Sequence, residues 1–396
     1  MRRFTALVVG TLALWAFFGG SVSADVRTDA AITPFEDSPD GPIVKVRLSA
    51  EKPGVPDLEL RFMLDTGAGM NVLDVSITAD YFWDDAKGSS ATPMTVADAT
   101  RQQFQTPLVY LKRIEIGGIT RDDQAAIRMD LKRTWPGIGE DEPIDGILGM
   151  SFLRGTSFLI DPTTSEIRWW QTFDGHRVTL GYDSSGSPTM IAKLSNADVS
   201  FMLDTGSSSG FQAPGHADEN EASETAHFTG ALGSVSEARV IKADRIEASG
   251  KAWINEPVVV VKPGEGNPMV GRKILLAGPL GLDFVRDAAI FQLDSNGNLP
   301  SLPAPPATPH AGLSLAWDRG GIEPRLIVGP MGPKSPMNVA GLKQGDVLVR
   351  VGTLQGDDLT IGAVTSLVDQ GKPLSWVVRR NGKQLRFRFP VAAVLH

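Results

Sequence analysis

The sequence contains no cysteine among its 396 residues. This absence excludes disulfide bonds, thiolate metal ligands, a cysteine nucleophile and a lipid-modified cysteine. A chain of this length can be stabilised by burial of a hydrophobic core instead, and it has room for two or three domains.

Positive charge and histidine are also scarce. The formal net charge is -8, so no basic face is expected to attract nucleic acid. The five histidines are scattered, and none has the i, i+4 spacing of a helical zinc site. We therefore expect no metal, no other cofactor and no nucleic-acid partner.

Long apolar runs are absent except at the N-terminus. Arg2 and Arg3 precede an almost wholly apolar stretch from Phe4 to Phe18, and Val22-Ser23-Ala24 supplies the small residues read by a signal peptidase. We predict a signal peptide over residues 1–24, cleaved after Ala24, and a periplasmic or secreted protein. The alternative is an uncleaved N-terminal anchor, which would be the only membrane contact.

Short strands dominate the rest of the chain. Glycine (42) and proline (27) are frequent, which favours turns over long helices. Apolar and polar residues alternate over 43–48 and 111–116, a pattern typical of strands. Residues 25–42 are polar and contain three prolines, and they are interpreted as an extended lead-in.

One six-residue string, FMLDTG, occurs at 62–67 and again at 201–206, an offset of 139. Further matches follow in the same order. Residues 113–115 and 245–247 both read Arg-Ile-Glu, and Ile147-Leu148-Gly149 is matched to Pro279-Leu280-Gly281 at an offset of 132. An internal repeat of this length indicates a duplicated domain. The strand pattern predicts an all-β lobe used twice.

The repeated motif carries the chemistry of a composite acid–base site. Hydrolysis of a peptide bond needs a base that deprotonates water and an acid that protonates the leaving nitrogen. Two carboxyl groups held close together share one proton. Asp65 and Asp204 are the predicted catalytic pair. Gly67 and Gly206 allow close approach of the two loops, and Thr66 and Thr205 can brace the facing loop.

The two repeats resemble the lobes of pepsin/retropepsin-type aspartic proteases, in their bacterial retropepsin-like form. The matching motifs are Asp65-Thr66-Gly67-Ala68, Asp204-Thr205-Gly206-Ser207 and the later glycine segments at 147–149 and 279–281. The resemblance implies a mainly-β, bilobal fold with lobes at 25–174 and 175–298. It also implies interlocking threonines, and glycine segments that pass behind the catalytic loops. Flaps are expected at 94–109 and 228–234.

The C-terminal region is a separate module. Residues 299–310 contain five prolines and predict a stiff linker. Residues 311–396 resemble a PDZ domain of the bacterial envelope type through 312–315 and 335–352. That resemblance implies that backbone groups of Gly312, Leu313, Ser314 and Leu315 hold the C-terminal carboxylate of a peptide. The alternative is a PDZ-like fold that only packs on the lobes.

Three other motifs match known functional patterns in part. Residues 206–210 fit G-x-S-x-G and nominate Ser208 as the nucleophile of a serine hydrolase, but that motif needs a following helix and 211–215 is turn-like. Residues 266–271 have phosphate-loop spacing without the required Lys-Ser/Thr. Residues 294–298 resemble the start of a calcium loop without its glutamate and predict a turn.

These observations predict an exported aspartic endopeptidase that acts on protein or peptide substrates and carries a PDZ domain that binds peptide C-termini. The alternative from a different class is a peptide-binding envelope scaffold, which keeps the fold without cleaving its ligands.

Overall fold

The structure of the chain is a computed structural model. It describes residues 31–38, 41–50, 54–83, 93–97, 103–131, 144–171, 173–215, 224–229, 235–261, 266–300, 315–318, 325–328, 336–360, 363–364, 367–368 and 373–389. The predicted signal peptide, residues 1–24, lies outside these residues.

The predicted mainly-β fold is confirmed. In the first lobe, the name used here for residues 31–171, the described residues form ten strands, one short α-helix and a 3-10 turn at Ala79–Tyr81. These elements are β1 (Ile32–Ser38), β2 (Gly41–Leu48), β3 (Leu58–Leu64), β4 (Asn71–Asp74), β5 (Pro93–Ala97), β6 (Gln103–Ile116), β7 (Ile119–Met129), β8 (Gly146–Leu148), α1 (Met150–Leu153), β9 (Ser157–Asp161) and β10 (Glu166–Trp169).

Residues 173–300, here named the second lobe, repeat this order. Its elements are β11 (His176–Tyr182), β12 (Pro188–Leu194), β13 (Ala197–Asp204), β14 (Phe211–Pro214), β15 (Glu224–Thr229), β16 (Val235–Ala248), β17 (Lys251–Val261), β18 (Met269–Gly271), α2 (Arg272–Leu275), β19 (Leu280–Asp283) and β20 (Ala288–Phe291).

Each lobe contains a closed ring of six strands. In the first lobe the ring runs β2-β3-β8-β4-β7-β6 and returns to β2. In the second lobe it runs β12-β13-β18-β14-β17-β16 and returns to β12, with the same parallel and antiparallel pairings. Closure leaves these strands without free edges within the ring. The matched pairings place β3 and β13, which carry the repeated motif, at equivalent positions.

A six-stranded antiparallel sheet joins the two lobes in the order β1-β10-β9-β19-β20-β11. Phe158 of β9 packs against Trp169 at a ring-centroid distance of 5.0 Å and against Phe284 of the second lobe at 5.9 Å. One hydrophobic cluster accordingly runs through both lobes. Burial of this shared apolar surface opposes separation of the lobes.

Two sequence interpretations change at the ends of the lobes. The predicted lead-in at 25–42 contains β1 and the start of β2, and β1 belongs to both the first lobe and the joining sheet. Leu299, the first residue of the predicted linker, is fully buried in the lobe core, and its N–H donates to the Ala252 carbonyl at 2.9 Å. Residues 301–310 of that linker lie outside the described residues.

The C-terminal module forms a second sheet. Its elements are β21 (Leu315–Asp318), β22 (Arg325–Val328), α3 (Pro336–Val339), β23 (Val347–Val351), β24 (Leu354–Gln355), β25 (Leu374–Arg380) and β26 (Lys383–Phe389). The main path is β21-β22-β23-β25-β26. Asn381 and Gly382 have φ values of 50° and 77° and connect β25 to β26, as expected for a tight hairpin.

A hydrophobic cluster around Trp376 forms the core of this module. Buried Asp346 accepts two hydrogen bonds from the Arg380 guanidinium, both at 2.6 Å. Of the predicted carboxylate-binding residues, Leu315 begins β21, whereas Gly312, Leu313 and Ser314 lie outside the described residues. Within the described part of the chain, no helix is long and apolar enough to span a membrane.

Candidate active site

Each repeated aspartate lies at the end of a strand whose last residues are buried on both faces. In β3, Phe62 and Leu64 face the main core, whereas Met63 packs in a second cluster of the first lobe. In β13, Phe201 and Leu203 occupy the main core. This two-sided burial explains why both motifs begin with an uninterrupted apolar run rather than an alternating one.

The loop after β3 is supported from behind by β8. Leu64 pairs with Leu148 in parallel register, and the Asp65 N–H donates to the Leu148 carbonyl at 3.1 Å. The Met150 N–H then donates to the Ala68 carbonyl at 2.8 Å. The predicted position of Ile147-Leu148-Gly149 behind the first aspartate loop agrees with these bonds.

The matching segment of the second lobe is β18, not residues 279–281. Met202 pairs with Met269 and Leu203 with Val270, and the Arg272 N–H donates to the Ser207 carbonyl at 2.9 Å. The predicted match at Pro279-Leu280-Gly281 is wrong, because residues 280–283 form β19 and pair with β9 and β20 in the joining sheet.

Steric contact explains why a glycine follows each supporting strand. A Cβ on Gly149 would overlap the carbonyl oxygens of Ala68 and Met70, and a Cβ on Gly271 would overlap those of Ser207 and Ser209. The two glycines are 122 residues apart, so the loops between repeats differ more in length than the sequence matches indicated. In the sequence alone, Gly271 stands out only through its phosphate-loop spacing from Gly266.

Reciprocal hydrogen bonds between threonines join the two aspartate loops. Thr66 Oγ1 donates to the Leu203 carbonyl at 2.7 Å and accepts from the Thr205 N–H at 3.1 Å. Thr205 Oγ1 donates to the Leu64 carbonyl at 2.9 Å and accepts from the Thr66 N–H at 3.1 Å. Both threonines are fully buried. Four bonds thus cross between the lobes in a two-fold pattern.

The glycines of the motif let the two carboxyl groups meet. A Cβ on Gly67 would overlap the carboxyl group of Asp204, and a Cβ on Gly206 would overlap that of Asp65. The carboxyl groups of Asp65 and Asp204 are in hydrogen-bond contact with each other. Two carboxyl groups in such contact hold a proton between them, because two adjacent negative charges repel strongly.

The site raises the pKa of both aspartates. Burial and then the charge of Asp65 raise the pKa of Asp204 well above its usual value. Burial also raises the pKa of Asp65, and hydrogen bonds from Asp204 and from backbone N–H groups oppose that rise. The pair therefore retains one proton at a pH where two isolated aspartates would both be ionised.

The two aspartates have unlike surroundings. Asp65 is partly exposed, and its Oδ1 accepts hydrogen bonds from the N–H groups of Gly67 at 2.8 Å and Ala68 at 3.2 Å. Asp204 is buried, with 8% of its surface exposed. Backbone N–H groups of Gly206 and Ser207 bind Asp204 in the same way, so the two aspartates differ in exposure rather than in backbone support. Because burial disfavours a carboxylate, the smaller exposure of Asp204 favours the negative charge on Asp65 and the proton on Asp204.

Ser208 lacks the setting of a serine nucleophile. The residues after it form β14, whereas the G-x-S-x-G turn must lead into a helix. This finding overturns the serine-hydrolase alternative. Residues 294–298 form the predicted turn, in which the Asp294 N–H donates to the Asn298 carbonyl at 2.9 Å.

The expected flap regions are two equivalent hairpins, β5–β6 and β15–β16. Their connecting residues, 98–102 and 230–234, lie outside the described part of the chain. Tyr81 belongs to neither hairpin. It is buried in the main core, and its hydroxyl donates to the Pro56 carbonyl at 2.6 Å.

Residues 54–152 match the family model described as aspartyl protease. The match covers the first aspartate loop and its supporting glycine, and it supports an aspartyl protease domain in this part of the chain. No curated protein matches the chain. The second aspartate lies outside the matched residues and is related to the first by the repeated strand pairings described above.

Replacement of Thr205 by valine tests the link between the loops. Thr205→Val keeps the side-chain shape but leaves the buried Leu64 carbonyl and Thr66 N–H without their partner, and we expect a loss of about 2–4 kcal/mol in unfolding free energy. Thr78→Val, an exposed control, should change stability by less than about 0.5 kcal/mol. Urea unfolding followed by tryptophan fluorescence measures both. Equal stability of the two variants would contradict the role of the threonine bonds.

The raised pKa of Asp204 predicts a pH-dependent stability. The folded state binds this proton more tightly than the unfolded chain does. Protonated Asp204 therefore stabilises the folded state fully at pH below about 4, and this stabilisation is lost as the pH rises through the raised pKa. Asp204→Asn is neutral throughout and should melt increasingly higher than the parent as the pH rises from 4 to 8. Asp198→Asn, an exposed change on the same strand, is the control. If the difference in melting temperature between Asp204→Asn and the parent did not change with pH, the raised pKa of Asp204 would be rejected.

Proposed function

We propose that the chain is an exported aspartic endopeptidase in which Asp65 and Asp204 together activate one water molecule. The observation that supports this most strongly is the reciprocal bonding of Thr66 and Thr205, which holds the two carboxyl groups in contact. Each loop alone supplies one carboxyl group, whereas the reaction needs a base and an acid in the same site. The family match at residues 54–152 agrees with a protease.

In the proposed reaction Asp65 is the base. Its carboxylate takes a proton from the water molecule while the water oxygen attacks the peptide carbonyl carbon. Asp204 gives its proton to the carbonyl oxygen, and a gem-diol forms. Asp65 then protonates the leaving nitrogen, the C–N bond breaks, and Asp204 recovers a proton from the gem-diol. One water molecule is consumed, and the dyad returns to its starting state.

The unlike surroundings of the two aspartates support these roles. Both aspartates accept backbone hydrogen bonds, but Asp65 is partly exposed, and contact with solvent stabilises a carboxylate. Asp204 is buried beside that charge, a setting that favours the protonated acid. No covalent intermediate is required, because water is the nucleophile.

The substrate is proposed to be a protein or peptide, with the C-terminal module binding a peptide C-terminus. The order of strands and the Asn381-Gly382 hairpin fit a small independent sheet domain. The resemblance of residues 312–315 to a carboxylate-binding loop supplies the ligand class. The export proposal depends on the N-terminal segment, residues 1–24.

Replacing either aspartate should abolish cleavage. Asp65→Asn and Asp204→Asn preserve size and hydrogen bonding but remove the base or the acid, and we expect each to lose at least about 10³-fold in kcat. A quenched peptide library and an unfolded protein substrate measure the rates. Asp198→Asn should retain the parent rate. Undiminished cleavage by either active-site variant would reject the dyad. If the parent protein binds peptides without cleaving them, the scaffold alternative is favoured.

Peptide recognition by the C-terminal module should depend on a free carboxylate. A fluorescent peptide with a free C-terminus should bind the full chain more tightly than the same peptide amidated at its C-terminus, by about 10-fold or more for the loss of charge-assisted hydrogen bonds. Fluorescence anisotropy measures both affinities, and the Asp204→Asn variant is used so that the probe is not cleaved. Equal affinity for the two peptides would contradict carboxylate recognition.

A further inference from the structure

We propose that Ser187, in the second lobe, is a positioning residue for Asp65 of the first lobe, acting through the peptide unit between Gly67 and Ala68. This inference rests on the proposed function, because it concerns which aspartate serves as the base. The residue lies outside the repeated motif and was not singled out by the sequence.

The turn between β11 and β12 presents the Ser187 hydroxyl to the first lobe. Asp183 Oδ1 accepts from the N–H groups of Ser185 at 2.9 Å and Ser187 at 3.0 Å, which fixes the turn. Ser187 is fully buried, and its Oγ lies 2.9 Å from the Gly67 carbonyl oxygen. The turn also abuts the next glycine, since a Cβ on Gly69 would overlap the Ser185 carbonyl oxygen.

The bond has a defined direction. A carbonyl oxygen only accepts hydrogen bonds, so the Ser187 hydroxyl must be the donor to Gly67. The Gly67 carbonyl belongs to the same peptide unit as the Ala68 N–H, which donates to Asp65 Oδ1 at 3.2 Å. A hydrogen bond accepted at one end of a peptide unit polarises the donor at the other end. Ser187 therefore strengthens a bond that stabilises ionised Asp65.

The equivalent position in the other half of the site carries no hydroxyl. Ile43 pairs with Met63 and Thr189 pairs with Met202, so position 41 of the first lobe corresponds to position 187 of the second. Position 41 is a glycine with φ of +146°, and a Cβ built there would lie 3.2 Å from the Thr205 carbonyl oxygen. The Ser187 hydroxyl therefore contacts the Asp65 loop, whereas the equivalent residue beside the Asp204 loop, Gly41, has no side chain.

Few other charges act on Asp65 within the described part of the chain. Asp204 faces it from the opposite loop, and Asp183 is engaged inside the turn that carries Ser187. Arg272, whose N–H binds the Ser207 carbonyl at the start of α2, pairs with Asp37 at 3.4 Å. Neutral Ser187 can therefore bias the pair without adding a charge to the site.

Ser187→Ala should change the titration of Asp65 and the acid side of the pH–rate profile. Loss of the hydroxyl weakens the stabilisation of the carboxylate, so the pKa of Asp65 should rise and the acid limb of kcat/KM should move to higher pH. The alkaline limb, set by the proton on Asp204, should stay in place. On the acid limb we expect kcat to fall about 3- to 10-fold with little change in KM, the range for one hydrogen bond.

Carbon-13 NMR of the full chain labelled at aspartate carboxyl groups reads the titration directly, with the Asp65 signal assigned through Asp65→Asn. Ser187→Cys keeps a weak donor and should fall between the parent and the alanine variant. Ser184→Ala removes an exposed hydroxyl from the same turn and should match the parent.

The two proposals fail in different ways. If neither parent nor variant cleaves peptides, the protease proposal fails while the NMR titration still decides the role of Ser187. An unchanged Asp65 titration in Ser187→Ala overturns that role. A rate loss equal at every pH also overturns it, because such a loss indicates only a loosened fold.

Discussion

The structure depends on one constraint, which is that two loops 139 residues apart must present their carboxyl groups to the same point. Thr66 and Thr205 meet this constraint by exchanging backbone hydrogen bonds in a fully buried setting. A buried polar group without a partner is costly, so neither loop can shift alone without leaving N–H and carbonyl groups unsatisfied. The rings of strands and the sheet that joins them bring the loops to the distance at which these bonds form.

Much of this arrangement could be predicted from the sequence because it is encoded locally. The repeated FMLDTG string combines an enclosed strand, a polar turn and a glycine, and each feature has a local physical cause. The segment behind the second loop is not predictable in this way, because Pro279-Leu280-Gly281 resembles Ile147-Leu148-Gly149 in composition, whereas strand pairing selects Met269-Val270-Gly271. The shape of the Ser207 and Ser209 backbone, and not side-chain similarity, requires the glycine at 271.

Contacts between distant parts of the chain could not be predicted. Ser187 acts on a carbonyl group 120 residues earlier, and nothing in its own neighbourhood in the sequence indicates that partner. The strand β1 was interpreted as a lead-in because its partners, β2 and β10, are known only from the fold. These same non-local contacts make the two half-sites differ, and that difference is the basis of the proposed roles of one carboxyl group as base and the other as acid.

The central claim is that both loops of one chain form a single composite site. Calorimetric titration of the full chain with a peptide-like inhibitor that carries a tetrahedral hydroxyl group tests it most directly. The account predicts one inhibitor bound per chain, with binding lost in Asp65→Asn and in Asp204→Asn alike. Two inhibitors per chain, one inhibitor for every two chains, or unchanged binding after loss of either carboxylate would contradict it.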